Sequence, residues 1–149
     1  MRHQTARIAY SGLGLLFFCF LSFCSQKPQP KETLYKFFAG VIQRDSTVIT
    51  DCLDLEHTAT EAQLAAIGVD SIPSSTAARQ NLLVHELAAG RVNQRWREHR
   101  IVVGESEVRG DTATVEVSFF HRETGRQYYN KMELVFSDGR WKIVSFKLL

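Results

Sequence analysis

Three observations on the sequence predict an α+β fold, with N-terminal helices packed on one face of a curved four-stranded antiparallel sheet. Apolar residues recur at helical spacing between Lys31 and His99. From Arg100 onward the spacing changes to the period of two that a sheet needs. Three Gly-containing clusters then cut the second half into four β-rich runs: Arg109-Gly110-Asp111, Glu123-Thr124-Gly125 and Ser137-Asp138-Gly139. Helices first and a meander afterwards leave the helices segregated on one side of the sheet.

The first 23 residues are laid out for export. Arg2, His3 and Arg7 form a basic start, and Ile8 to Phe23 is mostly apolar. Leu21-Ser22-Phe23-Cys24 resembles the lipobox of bacterial lipoproteins, in which cleavage before the Cys leaves a diacylglyceryl-modified N-terminus. Phe23 departs from that pattern, because a small residue is usual there. The expectation is a lipoprotein signal peptide over 1–23, lipidation at Cys24, and a short polar, Pro-containing linker over 24–30. A domain over 31–149 then stands in the cell envelope, on the periplasmic side or at the cell surface.

Composition narrows the partners. Removing Arg2 and Arg7 from the 18 basic residues leaves 16, against 16 acidic ones. A near-neutral chain lacks the basic footprint that nucleic acid requires. If Cys24 is modified and Cys19 removed, Cys52 stands alone, so no intramolecular disulfide supports the domain.

Leu34, Phe37, Phe38, Val41 and Ile42 share one helical face, with Pro30 just outside the helix. Asp45 or Ser46 caps a second helix whose apolar stripe is Val48, Ile49, Cys52 and Leu53. Cys52 in that stripe reads as a small buried hydrophobe, with no basic residue close in sequence to activate it. Thr58-Ala59-Thr60-Glu61 has capping-box spacing, and Gly68 suits the end of the helix that follows. Ser74 or Ser75 caps a long helix that ends near Trp96 to His99, interrupted at Gly90.

In the sheet, Ala113, Val115, Val117 and Phe119 face one side, and so do Tyr128, Asn130, Met132, Leu134 and Phe136. In the last run Trp141 and Ile143 share one side, and Val144, Phe146 and Leu148 the other. By this register Glu116 and Glu133 point away from the core. A slip of one residue would reverse them.

This helical half, the hairpins and the ending Asp138-Gly139-Arg140-Trp141-Lys142-Ile143-Val144 resemble the cone-shaped fold of nuclear transport factor 2 and ketosteroid isomerase. The group most similar is that of small exported bacterial lipoproteins described as lumazine-binding-like. The resemblance implies that Trp141 packs inside the cone, and it is weak for activity because the fold hosts enzymes, carriers and assembly modules.

No catalytic set stands out. His57, His85, His99 and His121 are scattered, with no metal-ligand spacing and no nucleophile elbow. No cofactor is implied. Tyr35, Tyr128, Asn130 and Trp141 are the residues expected to line a ligand pocket. A non-catalytic module that binds a small apolar ligand or an envelope protein is the leading expectation. The alternative is a small proton-transfer enzyme, an isomerase or dehydratase, on an apolar substrate. Tyr129, Val135 and Val144 on the open sheet face offer a surface for homodimer pairing.

Overall fold

The computed structural model describes residues 27–146. Cys24, the export segment and the last three residues lie outside the described residues. Among the described residues six helices precede a four-stranded antiparallel sheet of order β1-β2-β3-β4, an α+β fold as expected.

Helix α1 (Pro30–Gln43) buries Leu34, Phe37, Phe38 and Val41. Pro30 starts the helix, where its fixed φ is pre-organised and its missing N–H is not needed. Ile42 departs from the expected core stripe and is 56% exposed. The residues before α1 are seated on the domain rather than standing free of it. Trp141 Nε1 donates to the Pro28 carbonyl at 2.6 Å. The Lys27 ammonium reaches the Gly110 carbonyl and Asp111 across the β1–β2 turn.

Helix α2 (Ser46–Cys52) is capped by the Asp45 carboxylate, which accepts from Thr47 N and Val48 N. Cys52 is buried, as its stripe predicted. Helix α3 (Leu55–Thr58) was not expected, and it changes the capping register. Thr58 closes α3, so the cap of α4 (Glu61–Ala66) is Thr60, whose hydroxyl accepts from Gln63 N. Thr60 and Gln63 carry the same S/T-x-x-E/Q spacing two residues later.

Ser75 caps α5 (Thr76–Ala88). The long helix expected beyond it is two helices, with α6 (Arg91–Arg97) starting after Gly90. A Cβ at Gly90 would lie 2.7 Å from the Glu86 Cα, so the chain turns there at a distance only glycine allows. Asn93 then ties α6 into the bundle, donating to the carbonyls of Val41 at 2.6 Å and Leu87 at 2.9 Å.

The strands are β1 (His99–Arg109), β2 (Thr112–His121), β3 (Gln127–Ser137) and β4 (Arg140–Ser145). Asp138 at φ 51° and Gly139 at φ 77° make the two-residue β3–β4 turn, the left-handed pair that matches strand twist. The register places Val115 opposite Met132 and Glu116 opposite Lys131. The inner face is therefore the predicted one, and Glu116 and Glu133 are exposed outside it.

Phe146 corrects the reading of the last strand. Period two put it with Val144, opposite Trp141 and Ile143. A register shift pairs Leu134 with Ile143 but Glu133 with Ser145, so Val144 is an extra residue. That bulge rotates the chain, and Phe146 becomes fully buried against Phe37 and Trp96. Edge strand β4 is shielded by the segment after α2. Leu53 bridges Ile143 in parallel, and Asp54 N donates to the Ile143 carbonyl at 2.9 Å.

The cone is filled where helices meet sheet. Trp96 packs on Phe38, Phe119, Phe37 and Phe146, with ring centroids 5.5 to 6.0 Å away. Trp96 is the centre of this aromatic cluster. Trp141 belongs to the same buried core, as expected, and packs against Phe136 near the turns.

Candidate functional site

Beside the aromatic cluster a half-enclosed groove of about 540 Å³ remains, between the C-terminal half of α1 and the start of β1. Its size is in the usual range for small-molecule sites. Helix α1 supplies Tyr35, Phe38, Ala39, Val41 and Ile42. Four of these, at positions 35, 38, 39 and 42, form a second helical stripe beside the core stripe. Exposed Tyr35 and Ile42 are explained by it: they form a wall of the groove. From β1 come His99, Ile101 and Val103 at period two, with Arg100 between them, and α6 adds Trp96 and Arg97. Arg122, just after β2, completes that side.

The four pocket residues expected from sequence do not share this groove. Tyr35 lines it. Tyr128 lies near, its ring 5.7 Å from that of His99, but outside the lining. Asn130 is buried in mid-sheet and borders a different hollow with Tyr129 and Lys131. Trp141 is far along the sheet, fixed to Pro28. Cys24 lies outside the described residues.

His99 is the residue the sequence reading missed. It was placed at the end of a helix, whereas it opens β1 on the inner face and is 5% exposed. Its Nδ1 is 2.8 Å from the Arg95 carbonyl. A proton on Nδ1 donates there and leaves Nε2 as an acceptor. The His121 ring stands 5.0 Å away, edge to face. The available signal was the alternation His99, Ile101, Val103, which extends the strand two residues upstream of Ile101.

Two polar atoms under the groove are orphaned. The indole N–H of Trp96 and Oδ1 of Asn93 are buried and have no partner among the described residues. Such atoms cost free energy wherever they occur, and they are rare in native proteins.

The groove is also one-signed. Among the described residues no carboxylate lines it. Arg97 and Arg122 form no ion pair among the described residues. Arg122 Nε donates to the Arg97 carbonyl at 3.3 Å, which ties the two together. Arg100 also lines the groove without an ion pair among the described residues, and its guanidinium lies 4.8 Å over the Phe120 ring. Glu98 and Glu123 border a neighbouring hollow with His121 and Arg122.

A second charged cluster lies on the other side of α1. Asp51 accepts from Lys36 and Arg140, each at 2.5 Å, and Lys142 is 3.9 Å away. The hydrogen bond from Lys36 holds the Asp51 carboxyl below its ordinary range and raises Lys36 in turn. Burial, and then the neighbouring Arg140, lower Lys142. Cys52 sits beside this cluster, so basic groups are near it in space though not in sequence. Burial still dominates and pushes its thiol up. A thiol raised in this way is a poor nucleophile. No group of three or more metal-ligating side chains occurs among the described residues.

No family model and no curated protein matches the sequence. Among solved structures, a candidate NTF2-like transpeptidase of Campylobacter jejuni is similar at 15% identity and a TM-score of 0.47. That similarity covers 78% of this chain and 97% of the other. A SEC-C motif-containing protein of Rhodopseudomonas palustris is similar at 18% identity and a TM-score of 0.44, over 75% and 72% of the two chains.

Proposed function

We propose that this chain is a lipid-anchored domain of the bacterial cell envelope that binds a small apolar ligand without turning it over. The groove between α1 and β1 carries this reading: its wall is largely apolar, it is half-enclosed, and among the described residues no carboxylate lines it. Apolar surface left open at this size is characteristic of a binding site. The anchor rests on Cys24 and the export segment before it. Because Lys27 and Pro28 are seated on the domain, only Ser25 and Gln26 separate Cys24 from it. Three residues from Cys24 to Lys27 span about 10 Å at full stretch, so the β1–β2 turn would stand close to the lipid.

Ligand binding is tested with a neutral environment-sensitive dye such as Nile red. Dye binding with an emission blue shift is expected for the native domain. Ala39→Trp fills the groove from the exposed side of α1 and should abolish it. Equal binding by both proteins would place the dye elsewhere and remove the groove from this reading. The anchor is tested separately, since label from radioactive palmitate should be lost in Cys24→Ala. Labelling that persists in that variant rules out Cys24 as the lipidated residue.

One observation favours the enzymatic alternative. His99 is a buried imidazole on the wall of an apolar groove, within reach of a ligand bound there. In that reading His99 Nε2 takes the proton. His99→Asn would then abolish turnover of an activated substrate while leaving dye binding intact.

A further inference from the structure

We propose that the ligand of the groove is an anionic amphiphile, a carboxylate or similar head group on an apolar tail. The inference rests on the groove being a ligand site, as proposed above, and adds which chemistry it selects. The tail would lie against Phe38, Val41, Trp96, Ile101 and Val103. The head group would meet Arg97 and Arg122.

Three observations carry it. The first is where cations are left uncompensated. Lys27, Lys36, Arg79, Arg91, Arg109 and Arg140 each hold a carboxylate within 4 Å. Arg44, Arg95, Arg97, Arg100, Arg122 and Arg126 hold none among the described residues, and three of these six, Arg97, Arg100 and Arg122, line the groove. The second is that one of these side chains is anchored. Arg122 Nε donates to the main-chain carbonyl of Arg97 at 3.3 Å, which holds that guanidinium beside the end of α6. The third is the sign of the wall itself, which bears no carboxylate to satisfy those cations from within. Glu98 and Glu123 lie near Arg122 without approaching it to ion-pair distance. They reduce the field there and do not cancel it. A neutral ligand would leave both guanidinium groups as they are. A carboxylate would receive charge-assisted hydrogen bonds from planar forks suited to it.

Arg109 supplies an internal control. It has the same charge but ends β1 at the β1–β2 turn, where it pairs with Glu107. Its removal alters net charge equally, and it is not among the residues that line the groove.

The experiment is calorimetric titration of the domain with decanoate and with 1-decanol at low salt. Decanoate should bind more tightly than the alcohol. Arg97→Gln and Arg122→Gln should each weaken decanoate by about threefold to tenfold, and leave the alcohol unchanged. Arg109→Gln should leave decanoate within about twofold, because its charge lies at the far end of β1. Equal affinity for the two probes, or equal loss in all three variants, overturns the head-group assignment while the groove remains a ligand site. Binding of neither probe, with Nile red also excluded, overturns the groove as a ligand site and this inference with it.

Discussion

The two ends of the sheet are built differently. At the turn end, polar groups are matched. Lys27 pairs with Asp111 across the β1–β2 turn, and Arg109 pairs with Glu107. The Trp141 N–H has the Pro28 carbonyl, and Arg140 has Asp51. At the groove end, where β1 begins and β2 finishes, Arg97 and Arg122 lack carboxylate partners among the described residues. The buried Trp96 N–H lacks an acceptor there. Local rules of satisfaction are obeyed at one end and broken at the other. Broken rules of this kind concentrate where a protein does something besides fold. The turn end holds the N-terminal segment onto the domain, and the groove end is left free to receive a partner.

The largest effect expected is at the turn end. Trp141→Ala removes a buried indole and the hydrogen bond that fixes Pro28. A loss of about 3–5 kcal/mol is expected in chemical denaturation, which would leave a small domain barely folded. A thermal midpoint lowered by only a degree or two would mean that the matched end contributes little to stability, and the contrast would collapse.

Gly90→Ala acts on the groove end. A Cβ there meets the Glu86 backbone at 2.7 Å, so α6 must shift and carry Trp96 and Arg97 with it. A cost of about 1–3 kcal/mol is expected. Loss of Nile red binding should accompany it, even at temperatures where the variant remains folded. Unchanged dye binding in a destabilised variant would show that the position of α6 does not define the groove.

Asp51→Asn is expected to cost about 1 kcal/mol, a modest figure because the cluster is part-exposed and solvent screens it. Its pH dependence is more informative. The folded-state pKa of Asp51 is lowered. Its contribution is therefore complete above the unfolded carboxylate value of about 3.9, and it is lost as pH falls through the lower folded value. Lys36 is raised, so its share is present below the unfolded lysine value and disappears as pH rises through the folded one. The native and Asp51→Asn proteins should converge in stability on acidification below about pH 4. Parallel curves down to the lowest pH measured would show that the ion pairs contribute nothing.

The smallest effect should come from Arg97→Gln and Arg122→Gln. Neither side chain has an ion pair to lose, so stability should change by no more than about 0.5 kcal/mol. A loss of more than about 1 kcal/mol would show that these arginines brace the fold, and the difference between the two ends would have to be redrawn.

Periodicity carried most of the fold. The α1 core stripe, the inner face of β2 and β3 and the outward turn of Glu116 and Glu133 all follow from spacing. A buried face must be apolar at the period of its element, whatever packs against it. Three features were not legible in that way. The bulge at Val144 returns Phe146 to the core, because one unpaired residue reverses every later side chain. The cap of α4 moved to Thr60, because Thr58 was already used by a short helix that no periodicity announces.

The third is the groove, which Tyr35 alone of the four expected pocket residues lines. Nothing along the chain says that Tyr35 and Ile42, His99 and Arg122 come together, since each is ordinary among its sequence neighbours. The sequence determined which faces are apolar and where the chain turns, because those depend on local geometry and on burial. Only the tertiary structure decided where aromatic packing stops short of filling the cone, and which cations are left at that opening. Those outcomes depend on volumes and charges contributed by α1, α6, β1 and the end of β2 at once, and no single segment encodes their sum.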